Sequence, residues 1–428
     1  ESKRAQRRAV CQLPLLASAR AGVTIQREGF FMGLNEASIV GDPPSHAWSV
    51  ADKARHAGRE TLATALVDAR ERTLRQFAAF ESALGPGLRV PCLPELNLPL
   101  WELGHIGWFA DWWIARNPQL GRGLQADPLV ARGPARQAAR GVDAEALYDS
   151  SAIAHDHRWQ LDLPDAETTR ADLSASLDQT LALLSEAPED DTGLYFFRLV
   201  LFHEDMHAEA GVYMAQALGI DVGHRNTTVR TAPAETHVPA TRWTLGWSGA
   251  GFAFDNELGA HTVDVNAFEI DAAAVTWARY LPMVDAGLAS VPRYLRRAGD
   301  GWETQRFGAW HALDLQAPAC HLSATEAQAW CRWTGRRLPT EAEWEVAAHT
   351  APGFAWGEVW EWTASAFAPF PGFAPHPYRD YSQPWFDGRP VLKGASSATH
   401  PRMRHPTYRN YFPAARTDIF AGFRSVRA

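Results

Sequence analysis

Apolar residues recur at three- and four-residue spacing from about Ala51 to Leu218 and lose that register afterwards. The spacing predicts helices over 51–83, 94–117, 167–185 and 192–218, with a Gly/Pro/Arg-rich connection over 122–142. Four long helices predict a bundle, in which inward-facing side chains from different helices meet. Further on, 252–257 and 261–270 are expected as strands, 275–280 as the start of a helix, and 324–335 and 340–348 as short helices. The Gly/Pro/Trp-rich remainder suits a compact α+β unit with extensive loops. The expected organisation is therefore a disordered extension over 1–47 that joins no core, a helical bundle over 48–225, a linker over 226–241 and an α+β domain over 242–428.

Chemistry enters on the last helix of the bundle. His203-Glu204-Asp205-Met206-His207 places two imidazoles one turn apart, about 40° around the helix. Two neutral imidazoles so placed are a ready pair of ligands for Zn, Fe, Cu or Ni. The acidic neighbours Glu204, Asp205 and Glu209 strengthen a metal reading, because ligating histidines usually donate their second N–H to a carboxylate or carbonyl. Glu209 lies about 200° from His207 around the helix, so it is better cast as a supporting or packing group than as a ligand. The third ligand must come from elsewhere. His105 is the natural choice, set in the aromatic helix face Leu103-Gly104-His105-Ile106-Gly107-Trp108-Phe109; His155 and His157, in a polar loop-like stretch, are its rivals.

The same pentad satisfies HExxH, the zinc-peptidase helix, in which the Glu is a general base. The extended form of that motif needs Gly and His where this chain has Ala210 and Tyr213. A structural role for the histidines, with the second half a non-catalytic lectin-like binding protein, is the other alternative.

Composition narrows the partners. A net charge of −8 over 428 residues argues against nucleic acid or an anionic membrane. No run of about 18 apolar residues suggests a membrane span. The cysteines Cys11, Cys92, Cys320 and Cys331 form no CxxC and no disulfide framework, which suits a cytoplasmic protein. A faint imitation of a signal peptide around Val10–Ala19 is interrupted by Cys11, Gln12 and Pro14.

The second half resembles the formylglycine-generating-enzyme (sulfatase-modifying factor) domain, a C-type-lectin-like fold. The matching stretches are Phe252-Ala253-Phe254-Asp255-Asn256-Glu257, Arg336-Arg337-Leu338-Pro339-Thr340-Glu341-Ala342-Glu343-Trp344-Glu345, Val359-Trp360-Glu361-Trp362-Thr363 and the closing Gly422-Phe423-Arg424. The first half resembles a DinB-like bundle through the His105 segment and the HxxxHxE run. That pair of domains is similar to the non-haem iron sulfoxide synthases of ergothioneine and ovothiol biosynthesis and their selenoneine-forming relatives. The resemblance implies His105, His203 and His207 on Fe(II), with O2 as co-substrate and a chalcogen joined to the imidazole carbon of hercynine (trimethylhistidine). No Cys follows Cys331, so the copper-binding cysteines of true formylglycine-generating enzymes have no counterpart, and the second domain is expected to shape a pocket.

By the same resemblance Asn410 and Tyr411 contact the hercynine ammonium, a group that favours aromatic faces. Tyr378 or Tyr381 is the proton donor, since a tyrosine is protonated at neutral pH. Where relatives that use γ-glutamylcysteine are similar to Asn-Trp-Asp-x-Pro-x-Arg, this chain has Asn410-Tyr411-Phe412-Pro413-Ala414-Ala415-Arg416. Met206 stands where they tend to carry Gln. Losing the acid at Phe412 removes a charge-assisted partner for a zwitterionic donor. The expected donor is therefore a neutral selenosugar, with cysteine or γ-glutamylcysteine as the alternative; His155, His157 or Arg158 would line the donor side.

Overall fold

Gly58 interrupts the first helical stretch. The computed structural model describes residues 49–135, 143–225 and 234–428. Within it the helix expected over 51–83 is two, α1 (Ser49–Arg55) and α2 (Arg59–Leu84), with Gly58 extended at the N-cap of the second. The extension expected over 1–47 lies outside the described residues, as do parts of the 122–142 connection and of the linker.

Helix α3 (Pro99–Ala110) starts at a proline, whose missing N–H is one that a first turn leaves unpaired in any case. It runs on as a π-helical turn, Asp111–Ala115. The short α4 (Ala144–Tyr148) and a 3-10 turn, His155–Gln160, occupy the polar stretch before α5 (Ala166–Glu186) and α6 (Asp191–Leu218). Both long helices begin at aspartate caps: Asp165 accepts from the Thr168 N–H and Asp190 from the Gly193 N–H. Helix α6 ends at Gly219, whose φ of 73° is the left-handed cap conformation. Helices α2, α3, α5 and α6 make the bundle, with α2 packed on α6 and α3 on α5.

The linker expected to reach 241 already contains a strand. β1 (Glu235–Val238) pairs antiparallel with β4 (Phe268–Asp271), Val238 opposite Phe268, and both of those side chains are buried. β2 (Thr241–Leu245) pairs with β3 (His261–Val265) in a separate ribbon, so the strand expected over 261–270 is two strands in two sheets. The strand expected over 252–257 is instead a loop closed by a 3-10 turn, Asp255–Glu257. Its cause is polar: the Glu257 carboxylate turns back to accept from the Phe254 N–H (2.9 Å) and also holds Arg55 (2.7 Å).

After α7 (Trp277–Asp285) comes an antiparallel meander of β5 (Leu295–Ala298), β6 (Gly301–Arg306) and β7 (Ala309–Ala312). Helix α8 (Ala324–Trp333), β8 (Arg336–Arg337) and α9 (Glu341–Thr350) follow. Ser323 with Glu326 and Thr340 with Glu343 form reciprocal capping boxes at the two helices. The remaining strands are β9 (Trp360–Ala366), β10 (Pro390–Gly394), β11 (Asn410–Tyr411), β12 (Ala421–Gly422) and β13 (Val426–Arg427). They complete two four-stranded sheets, ordered β1-β4-β13-β8 and β11-β10-β9-β12.

The two halves share one core. Leu62, Leu66, Phe202 and Tyr213 of the bundle pack in the same apolar cluster as Phe252, Phe254, Trp360 and Phe423. Polar struts cross the same seam: Arg402 grips Asp205 (2.6 Å) and Asp68 (2.9 Å), and Tyr195 meets His376 (3.0 Å). Among the described residues no helix is long and apolar enough to cross a membrane.

Candidate metal centre

Three imidazoles converge where α3 crosses α6. His105, His203 and His207 each offer one ring nitrogen, and these lie within 4.8 Å of one another; among the described residues no other group of His, Cys, Asp and Glu does this. His203 Nε2 and His207 Nε2 are 3.1 Å apart. Two nitrogens held at about 2.1 Å from a shared ion, at right angles to each other, stand about 3.0 Å apart.

The outer nitrogens of two rings are tied down. His105 donates its Nδ1–H to the Tyr148 carbonyl (2.8 Å), and His207 donates its Nδ1–H to the Glu102 carboxylate. Those bonds leave Nε2 of each ring as an acceptor facing the centre, the tautomer that a metal requires. His203 instead lies flat on Phe109, ring centroids 3.5 Å apart. Gly104 makes the Tyr148 contact possible, since a Cβ there would fall 2.2 Å from the Tyr148 ring.

The electrostatics keep the centre ready for a cation. Burial, reinforced by the His207 charge, lowers His105 to about 3, and burial with the same neighbours holds His203 well below the ordinary imidazole range. Burial alone would raise Glu102, but His207 beside it, through charge and hydrogen bond, brings it to about 2. Burial thus favours the neutral form of His105 and His203 that ligation needs, beside one fixed carboxylate. Three imidazole nitrogens, aromatic walls and no thiolate fit a divalent transition metal such as iron.

The acidic residues of the pentad do other work than the sequence suggests. Glu204 forms a two-pronged pair with Arg70 (2.9 and 3.2 Å), both side chains buried, and Asp205 is held by Arg72 and Arg402. Neither touches a histidine of the centre, because each leaves the helix on a different face. Glu204 is thereby consumed as a charge partner, which removes the base of the peptidase reading. Glu209 is a packing group: it accepts from Trp360 Nε1 (2.7 Å), Ser396 Oγ (2.9 Å), Thr399 Oγ1 (2.8 Å) and the Tyr213 hydroxyl. The carboxylate that does meet the centre is Glu102, three residues before His105 on one helix face; that spacing was the available signal.

His155 and His157 stand apart from the three. His155 Nε2 bonds the Leu96 carbonyl (2.7 Å), and His157 is exposed. Arg158 reaches closer, its guanidinium 3.8 Å from the ring centroid of Trp101, which itself stacks on His105 at 4.7 Å.

The second half lays tyrosines against the seam. Tyr378 meets Phe109 edge-on (5.0 Å) and lies 6.4 Å, centroid to centroid, from His203; burial pushes its phenol above the ordinary value. The Tyr381 hydroxyl bonds that of Tyr408 (3.0 Å), which also donates to Met206 Sδ (3.5 Å). Tyr408 carried no assignment from sequence, although it is the direct link from the second half to the residue before His207. β11 sets Asn410 and Tyr411 against Leu392 and Val391; the Tyr411 hydroxyl donates to the Tyr381 carbonyl and its ring stacks on Phe367 (4.0 Å). Arg416 lies over Phe412 (4.8 Å) and grips Asp418 through two bonds (2.8 and 2.9 Å), so its charge is already matched.

The described cysteines, Cys92, Cys320 and Cys331, are free thiols, and burial raises Cys320 and Cys331 to about 12. Neither is poised as a thiolate.

Comparison with known proteins agrees with this division of labour. Residues 223–358 and 354–428 match the family model described as the sulfatase-modifying factor enzyme 1-like domain, the C-type-lectin-like fold. A formylglycine-generating enzyme of Streptomyces coelicolor is 31% identical over 30% of this chain and 52% of its own length. Hercynine oxygenases extend the likeness through the bundle. That of Mycolicibacterium smegmatis is 31% identical, covering 86% of this chain and 98% of the relative, and that of Mycobacterium tuberculosis is 30% identical over 85% and 98%. With identity of that order along almost the whole relative, and both halves included, the chain belongs to the hercynine oxygenase family.

Proposed function

We propose that this protein is an O2-dependent non-haem Fe(II) enzyme that joins a chalcogen to the imidazole C2 of hercynine, with His105, His203 and His207 holding the metal. The observation that carries the reading is the meeting of three imidazole nitrogens from α3 and α6 within 4.8 Å, in a chain of this family. Bound iron supplies the redox chemistry with O2. Everything else falls to side chains. Glu102 and the Tyr148 carbonyl orient two of the rings. Tyr378, kept protonated by burial and set against the His203 ring, is the proton donor in preference to Tyr381, whose hydroxyl is occupied by Tyr408. Tyr411 and Asn410 hold the trimethylammonium end of hercynine, and Met206 with Tyr408 closes the seam beside His207.

The donor is best read as a neutral selenosugar, giving a C–Se bond. Phe412 supplies no carboxylate for a donor ammonium, and Arg416 is neutralised by Asp418. The second reading, a sulfur donor such as cysteine or γ-glutamylcysteine, is favoured by Arg158, a cation near the centre that forms no ion pair with the described residues. Competition decides between them. Anaerobic Fe(II) protein with hercynine, given O2 and equal selenosugar and γ-glutamylcysteine, should consume the selenosugar first. Preference for the thiol, with loss of that preference in Arg158→Gln, would establish the sulfur reading. Metal analysis of anaerobically purified protein tests the frame of both: zinc in place of iron would overturn the Fe(II) assignment, and no metal would favour the binding-protein alternative.

A further inference from the structure

A cavity of about 620 Å³ lies between the C-terminal end of α6 and the β5–β7 meander, apart from the three histidines. Gln216, on its wall, is nine residues beyond His207, roughly 13 Å along the helix at about 1.5 Å per residue. Its size is that of a small-molecule site, and nothing proposed for the metal centre uses it.

The cavity is built, not left over. The β6–β7 turn is clasped to the helix end: the Phe307 N–H donates to Gln216 Oε1 (2.8 Å), and Gln216 Nε2 donates to the Gln305 carbonyl (3.0 Å). Gly219 and Gly308 meet backbone to backbone, and a Cβ on Gly308 would fall 2.8 Å from the Gly219 carbonyl oxygen. Four non-glycine residues among those described have positive φ, and three of them belong to this region: Tyr294 (66°), Phe307 (46°) and His321 (61°). Left-handed backbone is costly for aromatic side chains, and such strain gathers where a fold holds groups for a ligand.

Those strained residues place rings around the space. His224 stands edge-on to Phe307 (5.9 Å) and Phe420 (5.8 Å), and His321 lies 4.8 Å from Phe420 and 4.7 Å from Tyr294. At the rim sits Arg306, exposed, its guanidinium without a hydrogen bond or ion pair to any described residue. Other charges on the wall are engaged: Arg293 with Glu95 (3.1 Å), Arg225 with Asp221 (3.1 Å) and Asp314 with the Gln316 N–H (2.9 Å), and Glu358, which also lines the cavity, is not free either.

We infer that this cavity is a second ligand site, for a small molecule carrying an oxyanion on a flat ring system. The ring lies among Phe307, Phe420 and His224, and the oxyanion meets the Arg306 guanidinium.

Two fluorescent probes with one ring skeleton test it on the iron-loaded protein: 8-anilinonaphthalene-1-sulfonate, which bears an oxyanion, and N-phenyl-1-naphthylamine, which is uncharged. The sulfonate should bind once per chain and about tenfold tighter than the uncharged probe, the scale of one charge-assisted hydrogen bond. Arg306→Gln should erase that difference while leaving iron content and turnover unchanged. Saturating hercynine or chalcogen donor should not displace the sulfonate. Absence of saturable binding, an advantage that survives Arg306→Gln, or displacement by either substrate would overturn the inference. The readout needs no turnover, so its failure leaves the metal-centre proposal standing.

Discussion

Two sets of side chains on α6 treat buried polarity in opposite ways. Glu204, Asp205 and Glu209 are fully compensated: Arg70, Arg72 and Arg402 match the first two, and four donors surround the third. His203 and His207 instead face His105 across aromatic walls, with acceptor nitrogens turned toward one another. Compensated charges hold the bundle to itself and to the second half. Uncompensated lone pairs at 3.1 Å gain only if a cation joins them. Neighbouring residues on one helix thus divide into struts and candidate ligands, and the division depends on what stands opposite each.

The contrast can be broken from the ligand side first. His203→Ala or His105→Ala should abolish stoichiometric iron binding and turnover while the fold survives, checked by metal analysis and circular dichroism. Iron retained at full stoichiometry in both variants would remove the centre.

On the strut side, Glu204→Gln leaves Arg70 buried and unpaired, a loss on the order of 3–5 kcal/mol in unfolding free energy. Denaturant titration should show it, with iron per folded chain unchanged. A variant that folds normally but loses iron would move Glu204 to the ligand face. Tyr378→Phe should cut turnover by about a hundredfold or more at unchanged iron content, the usual scale of a lost general acid; equal loss in Tyr381→Phe alone would transfer the role. Glu102→Gln should weaken iron binding about 10- to 100-fold by loosening His207, measured by competition with a chelator.

The smallest effect is acid sensitivity far from the centre. Burial would raise Glu343, but its bonds to Arg337 and Thr340 outweigh this and place it below its unfolded value of 4.5. A depressed carboxyl stabilises the fold above the unfolded value, and that contribution fades as pH falls through the folded one. Glu343→Gln should therefore flatten the loss of stability below about pH 4.5 and leave neutral-pH iron binding alone.

Helices α5 and α6 were legible to within a residue because their apolar spacing is a local signal. The HxxxH pair was legible for the same reason, since one turn of helix brings it together whatever surrounds it. The strand expected over 252–257 failed because its pattern yields to buried hydrogen bonds accepted by Asp255 and Glu257, whose donors Ser382 and Arg55 are more than a hundred residues away. The linker was drawn too long because β1 exists only through β4.

What the chain determined alone was every feature carried by neighbours in sequence: the helical half, the capping boxes, two imidazoles on one helix face, and the motifs of its family. Tertiary structure decided which carboxylate meets which cation, that Glu102 and a backbone carbonyl tie down the rings, and that Tyr378 packs edge-on against Phe109 beside His203. Those choices are made by segments that meet only after folding, where the energy of a charge or a lone pair is set by what it faces and not by what precedes it in the chain.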